Sequence, residues 1–285
     1  MLAPLTWACA VVLFRKASDL APETMNFFKN AVAVVLLGIT MLVMDVSLPL
    51  DRSPRDWAMV AASGFLGLAF ADTLLFAALS RIGAARLAVV DTVYAPTVVL
   101  ISFLFLGERF GGWFFVGALG VLGGVALASV EKGALGGLNA ELQRGLLLAW
   151  VAISSTATGV VLVKPVLEEG NLIEVTWSRL VFGVAGQVLW MAFRGQLAGT
   201  LRSVLLPSVW RRMLPATILG TWFSLLLWLG GFKWAPASVA AVLNQLGTIY
   251  LLVLARLFLK EELRLKQAVG AVLAACGALF IVLTK

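Results

Sequence analysis

The sequence predicts an all-α integral membrane protein of about ten transmembrane helices, arranged as two inverted five-helix repeats. Two observations carry this. First, of 285 residues 61% are hydrophobic and 13% charged, with a mean hydropathy of +0.99, so nearly all of the chain has to sit in lipid. Second, a shift of 153 positions lays the later half on the earlier one without a gap from about Ser63 to about Ala126. Gly67 then falls on Gly220, Phe70 on Phe223, Ala84 on Ala237, Phe105 on Phe258, Glu108 on Glu261, Gly117 on Gly270 and Gly124 on Gly277. Matched Leu or Val would mean little in so apolar a chain. Matched Glu, Gly and Phe mark a duplication.

A span needs about 20 apolar residues to cross roughly 30 Å of hydrocarbon. The hydropathy pattern gives ten, at about 2–17, 23–44, 57–79, 84–106, 111–129, 144–163, 172–193, 211–231, 236–259 and 264–283. Each is expected to be helical, because backbone in lipid has to satisfy its own hydrogen bonds. A transmembrane barrel would instead show alternating segments of about 10 residues, and none are present. The first span is short, with Arg15 and Lys16 following 14 residues; this suits a chain that begins some residues earlier, or a partly interfacial helix. The repeats are placed at 1–130 and 144–285. Five spans per repeat is an odd number, so each half enters from the side opposite to its twin.

Charge and composition exclude several classes. The net charge of +7 comes from Lys and Arg in connectors and at span ends, where they set topology or meet lipid head groups rather than nucleic acid. With no His and two separated Cys, Cys9 and Cys276, neither a zinc site nor a Cys–His nucleophile can be assembled. No phosphate-cradling Gly-rich loop stands between a strand and a helix. No cofactor, no metal and no enzymatic activity are expected. Basic residues number six on the side of the termini and thirteen on the other, a balance that by itself puts the termini outside the cytoplasm.

Leu104-Phe105-Leu106-Gly107-Glu108-Arg109-Phe110, followed by Gly117, Gly120, Gly123 and Gly124, has a partner in Leu257-Phe258-Leu259-Lys260-Glu261-Glu262-Leu263, followed by Gly270 and Gly277. This pair resembles the repeat signature of the drug/metabolite transporter superfamily, EamA-like branch. The resemblance implies a multi-pass permease of the bacterial inner membrane with a small-molecule substrate, and an orientation opposite to the charge tally. It also implies a basic residue early in the second and seventh helices, positions held here by Lys29 and Arg179. Lys29, and Lys260 in place of a glycine, depart from the usual pattern.

Internal repeats are the usual mark of secondary transporters, whose site lies at mid-membrane between the halves. Ionisable groups within spans are the sharpest clue, each costing several kcal/mol unless paired or facing water. They are Asp72, Asp91, Lys29 and Arg179. The two carboxylates are candidates to line the cavity; the basic pair can also snorkel to the interface. If protons drive the protein, Asp72 or Asp91 is the group that exchanges them, since the chain has no His. A neighbouring Lys29 or Arg179 would instead hold the carboxylate as a structural ion pair.

The centres of spans four and nine offer Tyr94, Asn244 and Gln245, and Pro96 is expected to kink its helix there. Trp7, Trp222 and Trp228 are candidates to wall an apolar group, and Trp7, Tyr94, Trp222, Asn244 and Gln245 form the expected substrate site. Gly117, Gly120, Gly124, Gly270, Ala274 and Gly277 read as small faces for close helix packing. The expected function is export of a small amphiphilic metabolite (an amino acid, nucleoside or drug-like compound) by alternating access. A sugar-phosphate or nucleotide-sugar antiporter is the alternative and would want several basic groups facing the cavity.

Overall fold

The computed structural model describes residues 2–14, 17, 19–129, 140–259 and 265–283. Among these, every regular element is helical. The first half holds α1 (Leu2–Phe14), α2 (Pro22–Val43), α3 (Pro54–Gly64), a π segment Phe65–Ala71, α4 (Asp72–Asp91), α5 (Tyr94–Leu106) and α6 (Gly112–Ser129). The second holds α7 (Ala140–Glu169), α8 (Leu172–Phe193), a short α9 (Leu197–Val204), α10 (Pro207–Thr217), a π segment Ile218–Ser224, α11 (Leu225–Trp234), α12 (Ala237–Asn244), α13 (Leu246–Leu259) and α14 (Leu265–Leu283). Five helices among the described residues are long and apolar enough to cross a membrane, and four shorter ones are apolar.

The duplication recurs in the element boundaries. From the start of α3 to the end of α4, and from the start of α10 to the end of α12, the outer boundaries repeat with the same shift of 153, π segments included. The local causes repeat too. Pro54 and Pro207 each open a helix at its first turn, where a missing N–H costs nothing. α2 and α8 are both 22 residues long. Gly107 ends α5 at φ 67°, a left-handed turn suited to glycine.

Two sequence expectations about helix ends are corrected. No connector separates the third and fourth spans near residue 80; α4 runs unbroken from Asp72 to Asp91. Its repeat-mate is split into α11 and α12, because Ala235 is held extended (φ −133°, ψ 158°) ahead of Pro236. A residue before proline is pushed out of the helical region, and the equivalent of Pro236 in α4 is Gly83, which imposes no such stop. Pro96 likewise does not kink a helix interior. It sits in the first turn of α5, after a break at Thr92 and Val93.

The halves interdigitate. The first helix of each half packs on the π segment of the other: Gly159 of α7 lies against Ser63 and Gly67, and Gly220 lies against Ala10 and Phe14 of α1. The expected small faces meet one another between α6 and α14. A Cβ on Gly124 would stand 2.5 Å from the carbonyl oxygen of Gly270, and one on Gly277 would stand 2.7 Å from that of Gly117. Cys9 and Cys276 are free thiols. The second signature's Lys260, Glu261, Glu262 and Leu263 lie outside the described residues, as do Arg15, Lys16, Lys132 and Lys285.

Candidate functional site

Where the broken helices meet the π segments lies a cavity of about 230 Å³. Repeat-equivalent positions face it from both halves: Gly67 and Gly220, Leu68 and Thr221, Asp72 and Leu225, Leu75 and Trp228, Asp91 and Asn244. Trp7, Lys29, Tyr94, Arg179 and Gln245 complete the wall named from sequence, while Thr156 and Ser224 were not anticipated. Their polarity alone did not distinguish them from the many Ser and Thr that bond to their own helix.

Trp222 is corrected. It does not line the cavity; its indole Nε1 donates to Thr40 Oγ1 at 3.1 Å, and the ring packs with the cluster of Ala33, Leu37, Leu68 and Leu180. The π segment sets its direction, and a π turn rotates side chains away from the helical register that sequence spacing assumes. The snorkelling alternative for the basic pair also fails, since Lys29 and Arg179 are 3% and 2% exposed and face inward.

Among the described residues, two of these charges close on each other and Arg179 does not. Lys29 Nζ lies 2.7 Å from Asp72 Oδ2 and donates to Asn30 Oδ1 at 3.0 Å. Arg179, by contrast, leaves Nε and Nη1 without partners. Tyr94 Oη, Thr221 Oγ1 and Gln245 Oε1 are unpartnered as well, although Gln245 Nε2 donates to the Asp91 carbonyl at 3.2 Å. A buried unmade hydrogen bond costs about 1–3 kcal/mol, and more for a charged group. Several of them stand on one small cavity, and they include both donors and acceptors.

A π turn also frees backbone for bonding. The Leu68 carbonyl accepts from Asn26 Nδ2 at 3.0 Å, Asn30 Nδ2 at 3.2 Å and Gln187 Nε2 at 3.2 Å. One carbonyl thereby ties α2 and α8 to the wall of the cavity.

One face of the bundle is fastened, partly across the halves and partly within the second. Arg52 holds Glu174 through two bonds of 2.8 and 2.7 Å, and Ser178 Oγ donates to the same carboxylate. Lys233 Nζ donates to the carbonyls of Leu167, Glu168 and Gly170 at 2.6 to 2.8 Å. Lys164 Nζ reaches those of Phe232 and Ala235 at 2.9 and 3.0 Å. Glu108 accepts from Ala237 N at 2.6 Å, Ser238 N at 3.2 Å and Ser238 Oγ at 2.7 Å, capping the N-terminus of α12. The sequence presented Glu108 as a fold marker; its partner lies 129 residues away, beyond any spacing rule.

Comparison with known proteins follows this geometry. The profile of the EamA-like transporter family matches residues 1–130 and 143–283. A solved structure described as "Crystal structure of protein" is similar over 99% of this chain and 95% of its own, with a TM-score of 0.78 and 20% identity. That likeness shows the fold alone. No curated protein matches the chain.

Proposed function

The chain belongs to the EamA-like transporter family and is a multi-pass membrane transporter, and on that premise we propose that it exports a small amphiphilic metabolite bearing an acidic and a basic group, of which an amino acid is the simplest case. The observation that carries the reading is the buried, unpartnered Arg179 guanidinium on the same cavity as Asp91. A carboxylate would meet Arg179, Tyr94 Oη and Thr221 Oγ1. An ammonium would meet Asp91 and Gln245 Oε1, and an apolar side chain would lie against Trp7 and Trp228. Charge-assisted bonds of this kind are about twice as strong as neutral ones.

Size and charge favour this over the antiporter alternative. A cavity of about 230 Å³ is smaller than the roughly 300–1,000 Å³ that enclose drug-sized ligands, too small for a nucleotide sugar. Lys29 is committed to Asp72, which leaves one free guanidinium where a phosphate dianion wants several cations.

In this reading the two halves, residues 1–130 and 144–285, are five-helix repeats of opposite orientation, together crossing the inner membrane of a bacterium ten times. The face fastened by Arg52, Glu108, Lys164 and Lys233 is the closed side, and rocking of one bundle against the other exposes the cavity to each side in turn. The test is uptake into proteoliposomes of a panel of amino acids, nucleosides and sugar phosphates, with and without a proton gradient. Transport of zwitterions that is competed by other zwitterions supports the proposal. Transport confined to phosphorylated compounds overturns it.

A further inference from the structure

A second cavity, about 580 Å³, lies outside the central site, between the start of α2, the first π segment with α4, α7 and α8. Its walls are apolar: Phe65, Leu66, Phe70, Leu74, Leu148 and Met191. Phe65, Phe70 and Trp190 are 46%, 37% and 48% exposed, so it opens sideways onto the outer surface of the bundle, where a membrane protein meets lipid. Three ionisable groups stand on its lining: Arg81, Arg194 and Glu23. Glu23 stands at the start of α2 and Arg194 at the end of α8, both at the ends opposite the Arg52–Glu174 fastening, while Arg81 lies midway along α4. Arg194 lies over the Trp190 ring at 5.3 Å, an arrangement suited to the head-group level. Arg81 donates to the Ala77 carbonyl at 2.7 Å and faces Glu141 at 3.8 Å, a loose contact that leaves it free to share a further anion.

We propose that this cavity is a binding site for a membrane phospholipid with an ammonium-bearing head group, phosphatidylethanolamine by chemistry. An acyl chain lies along Phe65, Phe70, Leu74 and Met191. The phosphate sits between the guanidiniums of Arg81 and Arg194, which suit its geometry. The primary ammonium meets Glu23. Two cations and one carboxylate match a head group holding one phosphate and one ammonium. A glycerol head group would leave Glu23 with no cation, and a choline has no N–H to donate.

The site is independent of the transported substrate, so its test reads lipid rather than transport. The intact protein in detergent is exposed to phosphatidylethanolamine, phosphatidylglycerol or phosphatidylcholine with identical chains, and bound lipid is counted by native mass spectrometry. Phosphatidylethanolamine is expected to bind about threefold more than either competitor, the scale of a partly exposed ion pair. Glu23→Gln should remove that preference while phospholipid still binds. Arg194→Ala should lower binding of all three, and Arg194→Lys should restore part of it. Size-exclusion profiles matching the unaltered protein show that the variants are folded. Should phosphatidylglycerol bind best, or should binding be equal for all head groups and indifferent to Glu23→Gln and Arg194→Ala, the proposal is overturned.

Discussion

Lys29 Nζ and Asp72 Oδ2 stand 2.7 Å apart, a closed ion pair joining α2 to α4 on the wall of the central cavity. Lys29 is almost wholly buried, and Asp72 keeps 22% of its side chain exposed. In the proposed site the pair is a strut, and the charges offered to the substrate are those of Arg179 and Asp91.

This division predicts different outcomes for the two aspartates. Asp72→Asn should destabilise the protein by about 3 kcal/mol, because it leaves Lys29 charged and unpaired in the interior. A lower melting temperature in detergent would show it, and Lys29→Met combined with Asp72→Leu should recover most of the loss. Asp91→Asn should leave stability nearly unchanged. If transport is proton-driven, accumulation by this variant falls to the level seen without a gradient, while exchange of labelled for unlabelled substrate survives. Full gradient-driven accumulation by Asp91→Asn would leave a uniporter or exchanger as the better reading.

Arg179→Gln should raise the half-saturating substrate concentration about 10- to 100-fold, the range of one hydrogen bond to a charged group at 1.5–3 kcal/mol. Arg179→Lys should recover only part, since an ammonium cannot reproduce the guanidinium fork. Concentration-dependent uptake checks both. An unchanged half-saturation in Arg179→Gln would remove the carboxylate subsite from the proposal.

Neighbouring glycines of α6 should differ sharply. Gly124→Val places a Cβ 2.5 Å from the Gly270 carbonyl and should cost about 1–3 kcal/mol or more, as overpacking does. At Gly123 nothing lies within 4 Å of an added Cβ, so Gly123→Val should be within a few tenths of the parent, as at exposed sites generally. Thermal unfolding of the two variants side by side separates contact packing from a general intolerance of bulk in this helix.

Much of the fold could be read from the sequence for identifiable reasons. The 153-residue shift takes in residues whose chemistry fixes boundaries, such as Pro54 with Pro207, so helix ends recur with it. The α6–α14 contact was visible as spaced glycines because close approach leaves little room for anything larger. The charged and amide members of the cavity wall could be read for a similar reason: a charge or an amide at mid-membrane has few places to face other than a cavity. What could not be read depended on turn geometry. Seven residues of π helix at Phe65–Ala71 and at Ile218–Ser224 turn side chains off the ordinary helical register, and Thr221 and Trp222 both lie within the second of them. No periodicity in these apolar stretches distinguishes π from α.

Glu108→Ala removes an acceptor from Ala237 N, Ser238 N and Ser238 Oγ together. Loss of a helix cap costs about 1 kcal/mol, and the fastened face should open more readily. The check is a cysteine placed at Ser238, labelled by a water-soluble thiol reagent that cannot cross the membrane. Labelling at Ser238→Cys should be faster with Glu108→Ala than without it. Equal rates would show that Glu108 does not hold this face shut.

The Leu68 carbonyl, with Asn26, Asn30 and Gln187 converging on it, bears on how the bundle can move. These donors come from two helices, α2 of the first half and α8 of the second. If the π turn relaxed to ordinary α register, the oxygen would rotate back toward its own helix axis, and all of the donors would lose it in the same event. One atom on the wall of the cavity thus serves donors from both halves, so a shift of either α2 or α8 is felt at the same point.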